Sequence, residues 1–471
     1  MSELWRWPAT DLAAAIRDGA ISSREAVTDC LARIHAVNPA LNALVEVHEA
    51  QALAAADLAD AAVARGEVLA PLHGVPVTVK VNVDQAGCAT TNGVVAFKDL
   101  IATEDSPVVA NLRRAGAVIL GRTNTPAFSF RWFTDNALHG RTLNPWSKAH
   151  TPGGSSGGAS AAVAAGMGPI AHGNDLAGSV RFPAYCTGVC GLRPSFGRVP
   201  AYSTTATEER ALSGQLMSVQ GPLARTIADI RLALLAMSAG DARDPWWVPA
   251  PLQGPAAARP IRVAMSVNCH GTPAAPSVVA AVRRAGAWLA DAGFAVEEVE
   301  PPDMAEAAEL WDILVHGEAR YFMQGAIERL GDPDIRRAFG YMIARTPVLD
   351  AEGHMRAMAR RTTLIRQWQL FLEQYPLVLC PVSGEPPFPW GWDVESETTM
   401  ARVVRAQESM FGVPLLGLPA VSVPTEPVDG LPMGVQIIGR RFREDMVLDA
   451  AQVIEARCPP AVRRPARSGP T

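Results

Sequence analysis

Charge is scarce in this chain, and neither sign dominates. Asp, Glu, Lys and Arg supply only 19% of its 471 residues, and the formal net charge is −5. Nothing in that balance recommends nucleic acid or an anionic membrane surface as a partner. The expected partner is a small molecule, and the expected assembly is a monomer or homodimer. Cysteine is thin too. The seven residues (Cys30, Cys88, Cys186, Cys190, Cys269, Cys380 and Cys458) are odd in number and lie mostly in apolar segments, which suits reduced thiols better than a disulfide framework. Cys186 and Cys190 form the one close pair. Without a second pair or clustered histidines, no metal and no cofactor is expected. No apolar run reaches membrane-spanning length. The start, MSELWRWPATDLAAAIRDGAIS, lacks the basic, apolar and small-residue zones of a secretory signal, so the expected location is cytoplasmic.

What the chain does have is apolar residues, 48% of the total, enough for one large core or two ordinary ones. Leu12, Ala15, Ile16, Ala26, Val27 and Leu31 recur at helical spacing, and ISSREAV reads as a helix start with Ser22 or Ser23 as cap and Glu25 in the first turn. An alanine-rich helix is expected from about 49 to 65. GVPVTVKVNVD then switches to a period of two, a strand. A helix at 107–115 precedes the buried strand AVILG, and another helix is expected over 224–240. This alternation predicts an α/β fold, a large central mixed sheet covered by helices on both sides. The expected organisation is an N-terminal helical segment (1–65), a core carrying the motifs (66–240) and a Pro-rich connection (241–259). The second half of the core (260–458) follows, with a helical insertion at about 304–375, and then a loose tail (459–471).

The run TPGGSSGGAS, Thr151 to Ser160, invites three readings. A linker would have polar flanks, but a helix of small residues follows. A phosphate loop needs a lysine where Ala159 stands. Gly153 to Gly157 matches the G-x-S-x-G elbow of esterases, yet NPWSKAHTP before it is no strand, and the last histidine, His354, sits in a basic segment without supporting signal. A second block, HGNDLAGSVRFPAYCTGVCGLRPS, is more informative. Its DLAGS turn of small residues could aim successive backbone N–H groups at one point, as an oxyanion requires, and Ser179 would place a hydroxyl beside them. Lys80 shares a strand face with Thr78, Asn82 and Asp84. There it is either an exposed edge residue or a desolvated amine able to accept a proton.

Taken together, Lys80 in GVPVTVK, the glycine and serine run, and GNDLAGSVRFPA resemble the amidase signature family of Ser-cisSer-Lys amide hydrolases. AGAVILGRTNTPAF, NPW, GLRPSFGRV, GLPAVSVP and DGLPMGVQIIG extend the resemblance over nearly the whole chain. It implies Ser179 as acylated nucleophile, Ser155 as bridging serine after a cis peptide bond, and Lys80 as base. It also implies the N–H groups of Leu176, Ala177, Gly178 and Ser179 as oxyanion hole, with Ser156, Asp175 and Arg181 in support. No metal enters such a mechanism.

Two departures stand out: Val81 where relatives commonly carry an acid after the lysine, and Ala177 where they often have glycine. TPAFSFRWFTDN occupies the position of a loop over the acyl side of the pocket, so Phe128, Ser129, Phe130, Trp132 and Phe133 are expected to line it and to favour apolar or aryl substrates. Segments 200–215 and 304–345 are further candidates for lining it. Within the family the sequence is similar to nylon-oligomer hydrolases and to urethanases, which implies cleavage of aryl amides, anilides and low-molecular-weight carbamates. The alternatives are a glutamine-dependent amidotransferase subunit, an esterase using Ser155 with a histidine, and a non-catalytic binding protein.

Overall fold

A computed structural model of the chain describes residues 3–268 and 272–458. Cys269 and the tail at 459–471 lie outside them. The expected first helices are Ala9–Arg17 and Ser23–Leu41, and Ser22 and Glu25 form a reciprocal capping box at the start of the second, satisfying two otherwise orphaned amides.

Among the described residues eleven strands follow in chain order: β1 Leu44–Val47, β2 Pro76–Lys80, β3 Val118–Thr123, β4 Ile170–Asp175, β5 Cys190–Arg193, β6 Val219–Ala224, β7 Arg262–Met265, β8 Ala295–Glu298, β9 Leu377–Pro381, β10 Ala420–Pro424 and β11 Gly434–Gly439. They form one sheet in the order β1-β3-β2-β4-β6-β5-β10-β11-β9-β7-β8. β2 runs parallel to β3 and β4, whereas β4 is antiparallel to β6 and β5 to β10. The sheet is therefore mixed, with helices on both faces. Residues from both halves of the chain share it through the β5–β10 pairing.

Sequence patterning missed β6. VQGPLA alternates poorly and carries a proline, so it reads as a lead-in to the next helix. That helix begins only at Ile227, capped by Thr226. The 304–375 region is helical as expected, in four helices, Met304–Phe322, Gln324–Leu330, Pro333–Arg345 and Ala351–Gln374. No helix among the described residues is long and apolar enough to cross a membrane.

The fold decides the status of Lys80. β2 lies between β3 and β4, so its last residue is not on an edge, and all five of its residues are buried. The exposed-edge reading fails because β3 and β4 flank β2 on either side and Lys80 is fully buried.

Candidate active site

Four short segments converge at the C-terminal end of β2. Lys80 closes β2, and Ser155 and Ser156 precede the helix Gly157–Ala164. Asn174 and Asp175 end β4, and Leu176 to Ser179 turn from β4 into the helix Arg181–Thr187. No strand precedes Ser155, so the esterase elbow is absent. A cis peptide bond joins Gly154 to Ser155. The backbone there is crowded. A Cβ on Gly154 would stand 2.5 Å from the Arg131 carbonyl oxygen, closer than any side chain tolerates.

Lys80 Nζ lies 2.7 Å from Ser155 Oγ, 3.1 Å from Ser156 Oγ and 2.7 Å from Asn174 Oδ1. It forms no ion pair among the described residues. Burial holds its pKa well below that of an ordinary lysine, with the more distant Asp175 charge only partly opposing. In its neutral form the amine has two hydrogens and one lone pair, so one of its three neighbours can donate to it. Asn174 Oδ1 can only accept. Ser156 directs its own hydrogen toward the Asn174 carbonyl, 3.4 Å away. Ser155 is the neighbour whose hydroxyl is free to donate to the amine. No histidine hydrogen-bonds to Ser155 among the described residues. The nearby His172 has both nitrogens engaged, Nδ1 accepting from the Lys80 amide at 3.4 Å and Nε2 against Gln220 at 2.8 Å, and burial lowers its pKa to about 4.

The DLAGS turn is held from behind. Asp175 accepts from Arg181 Nε and Nη2 at 3.0 and 2.9 Å and from the amide of Val180 at 3.2 Å. Arg193 adds a second guanidinium 3.4 Å away. Burial alone would raise the Asp175 carboxyl, but Arg181 and then Arg193 outweigh it and hold it far below the ordinary carboxylate range. Asp175 also takes the Gly178 amide at 3.0 Å. This corrects the expected set of four oxyanion donors: Gly178 is committed, whereas the amides of Leu176, Ala177 and Ser179 have no partner among the described residues.

The alanine at 177 is harmless for a related reason. The left-handed residue of the turn is Gly178, at φ 87°, and Ala177 is not left-handed.

Two indoles complete the turn. Trp311 Nε1 donates to the Leu176 carbonyl and Trp132 Nε1 to the Ala177 carbonyl, each at 3.0 Å, and both rings stack on Phe411, with centroids 4.7 and 5.4 Å away. In a trans peptide, C=O and N–H point opposite ways. Anchoring the Leu176 carbonyl therefore aims the Ala177 N–H away from Trp311, and anchoring the Ala177 carbonyl aims the Gly178 N–H at Asp175.

Ser179 is 9% exposed, against 1% for Ser155 and 0% for Lys80, and is the least enclosed of the three. Its own hydroxyl has no hydrogen-bond partner among the described residues. The Ser156 amide donates to the Ser179 carbonyl at 3.2 Å, which ties the two serine segments together.

Of the expected pocket residues, Phe128, Ser129 and Phe130 are half-buried, and Phe128 and Ser129 are both left-handed, at φ 58° and 54°. Ser129 Oγ accepts from Asn82 at 2.9 Å, and Asn82 accepts from Asn174 at 3.0 Å. A polar chain therefore runs from the loop to Lys80. Phe133 is a correction. It is 0% exposed and packs against Phe388 and Trp390, so it belongs to the core. Val81 is likewise fully buried, where a carboxylate would be costly to hold. Segment 200–215 is anchored by Asp84, which accepts from the hydroxyls of Ser203, Thr204 and Thr205. Sequence reasoning missed Asn82, Asn174 and Trp311 as site residues. The period-two face of Lys80 already contained Asn82, and Asn174 sat within the quoted motif, but nothing local marked Trp311.

Comparison with known proteins agrees with this geometry. The Amidase family model matches residues 25–448. An indoleacetamide hydrolase of Bradyrhizobium diazoefficiens is 49% identical over 96% of this chain and 87% of its own. Among solved structures, a bacterial aryl acylamidase of the amidase signature family superposes with a TM-score of 0.86 at 25% identity, covering 99% of both chains. A 6-aminohexanoate cyclic dimer hydrolase does so with a TM-score of 0.83 at 28% identity, covering 99% of both. An α/β sheet of this topology, the clustered lysine and serines, and a family match over most of the length lead to one conclusion: the chain belongs to the amidase family, in its amidase signature form, and is an amide hydrolase.

Proposed function

We propose that this protein hydrolyses amides carrying an aromatic ring, arylacetamides and anilides, through an acyl-enzyme on Ser179. The observation that carries the reading is the buried Lys80 amine, without an ion pair and 2.7 Å from Ser155. Neutral Lys80 takes the Ser155 proton as Ser155 takes that of Ser179, and Ser179 Oγ attacks the amide carbonyl carbon. The resulting oxyanion faces the free amides of Leu176, Ala177 and Ser179. The proton returns through Ser155 to the leaving nitrogen, the C–N bond breaks and amine departs. Water then repeats the relay and releases the acid.

The Ser155–Ser179 hydrogen bond closes when substrate seats, since catalytic contacts are commonly looser in the free enzyme. Aromatic specificity is supported by Trp132, which bonds the turn at the Ala177 carbonyl, by the half-buried Phe128 and Phe130 of the same loop, and by the indoleacetamide hydrolase at 49% identity. The same attack on a carbamate would release amine, alcohol and carbon dioxide, which makes low-molecular-weight carbamates the secondary substrates.

The test is a panel of indole-3-acetamide, phenylacetamide, a nitroanilide, an aryl carbamate and glutamine, run on the parent and on Ser179→Ala. The expected result is turnover of the aromatic amides by the parent only. Preference for glutamine would replace this reading with the amidotransferase one. Equal turnover by Ser179→Ala would remove Ser179 as nucleophile.

A further inference from the structure

Away from the serines, three side chains of different chemistry meet at the edge of the sheet. Glu46 lies on β1 and His48 just beyond its end, while Cys88 sits in the turn after β2. His48 Nε2 is 3.4 Å from Glu46 Oε2 and 3.8 Å from Cys88 Sγ, and all three donor atoms lie within 4.8 Å of one another. A tetrahedral zinc ion with bonds of about 2.0 Å to nitrogen and oxygen and about 2.3 Å to sulfur separates its ligands by about 3.3 to 3.5 Å. The two separations from His48 already stand near those values, and the third is within 4.8 Å.

A second observation points the same way. Gln85 is 2% exposed, and its Oε1 has no hydrogen-bond partner, while its Nε2 faces His48 Nδ1 at 3.2 Å. Amide oxygen and nitrogen occupy nearly the same shape, so the amide can turn over. Oε1 then accepts from a protonated Nδ1 while the Gln85 nitrogen takes the unpartnered position, and the His48 Nε2 lone pair is left directed at Glu46 and Cys88. A metal-bound histidine is held in this way by its outer partner.

The turn is also pre-set. The Cys88 amide donates to the Gln85 carbonyl and the Ala102 amide to that of Cys88, each at 2.9 Å.

From this juxtaposition we infer that Glu46, His48 and Cys88 form a zinc site separate from the serine–lysine cluster, with water as fourth ligand. The mixed sulfur, nitrogen and oxygen set suits zinc over the hard cations calcium and magnesium. Binding releases the Cys88 thiol proton to solvent. The buried Arg122 guanidinium, which holds the carbonyls of Ala89 and Val83, lies close enough to interact with Glu46 and Cys88. Thiolate, carboxylate and guanidinium sum to one negative charge, and the ion makes the site positive by one. The affinity is therefore lower than at a four-ligand structural site.

Bound zinc would clasp β1 to the segment that follows Lys80 and carries Asn82. Sequence reading expected no metal here, because the three ligands are far from any ligand-spacing pattern.

The test is cobalt and zinc titration of the full chain after chelator treatment. One equivalent of cobalt is expected to produce the near-ultraviolet thiolate-to-cobalt absorption and intense visible bands of a tetrahedral ion. Calorimetry is expected to give one zinc per chain. Cys88→Ser should lose the thiolate band, and both His48→Gln and Cys88→Ser should weaken zinc by more than the roughly 10 to 100-fold typical of losing an outer partner. Circular dichroism checks that each variant is folded, and Glu46→Gln serves as a further ligand variant should Cys88→Ser not fold. No thiolate band in the parent overturns the site, as does an undiminished band in Cys88→Ser or equal zinc affinity across the folded variants.

Discussion

Trp132 and Trp311, 179 positions apart in the chain, stack on the same phenyl ring of Phe411 and hold consecutive carbonyls of the turn that ends in Ser179. Their N–H groups set the peptide planes, and the peptide planes set which amides are free. Trp311→Phe keeps the stack and removes one donor. A lost hydrogen bond of this kind is worth about 1 kcal/mol, so kcat should fall roughly five- to tenfold with little change in KM or in thermal stability. Steady-state kinetics beside a melting curve separate this from simple unfolding. A fall in KM and stability alone would place Trp311 in packing only.

Lys80, Ser155 and Ser179 should behave as a unit. Ser179→Ala and Lys80→Ala are each expected to lower kcat/KM by at least about 10³, and Lys80→Ala combined with Ser155→Ala should be hardly worse than either alone, since removing one member of a relay disables the others. Ser156→Ala should cost far less, because Ser156 supports the amine and is not the donor to it. Additive losses in the double variant would contradict a shared proton path.

The depressed pKa of Lys80 makes two quantities climb with pH. Only the neutral amine is a base, so kcat/KM should rise through an ionisation below the ordinary lysine range and be lost as pH falls. The unfolded chain binds the Lys80 proton at pH values where the folded chain has shed it, so stability also rises with pH up to the unfolded pKa of about 10.4. Urea unfolding of the parent and of Lys80→Met between pH 6 and 9 should show the difference, parent minus variant, increasing with pH. A flat difference would mean that Lys80 stays charged in the folded protein.

Asn174→Asp tests the same amine from outside. It places a carboxylate where Oδ1 now lies 2.7 Å from Nζ, and a nearby opposite charge favours the ammonium. The pH–rate profile should move up by about one unit or more, lowering activity at neutral pH and recovering part of it in alkali. A uniform loss at all pH values would point to misplacement of the lysine instead.

Asp175 is the structural keystone of the nucleophile turn. Asp175→Asn leaves Arg181 and Arg193 buried without their counter-charge, a loss of about 3–5 kcal/mol, and should lower the melting temperature by several degrees. Because the carboxyl is held below its ordinary range, its stabilisation is present above the unfolded pKa of about 3.9 and is lost as pH falls. The gap between parent and variant should therefore narrow in acid.

Much of this was legible in the amino-acid sequence. The period-two strand, the glycine and serine run and DLAGS singled out Lys80, Ser155 and Ser179 as candidates only through their joint resemblance to the amidase signature family, whereas helix–strand alternation gave the α/β class, because local backbone preference is written in neighbouring residues. Other features depended on partners far apart in the chain. Position in strand order, not alternation, decided that Lys80 is enclosed. Asn174, supplied by the adjoining β4, completes its coordination. Gly178 was withdrawn from the oxyanion donors by Asp175, and the peptide planes that aim the Ala177 and Gly178 amides were fixed by tryptophans from two distant segments. Phe133, one residue from Trp132, went to the core instead of the pocket. Glu46, His48 and Cys88 share no spacing pattern and meet only where β1 pairs at the sheet edge. Sequence determines which groups can react; long-range packing decides which hydrogen-bonding capacity is left unspent, because every buried donor and acceptor seeks whatever partner the tertiary fold brings within reach.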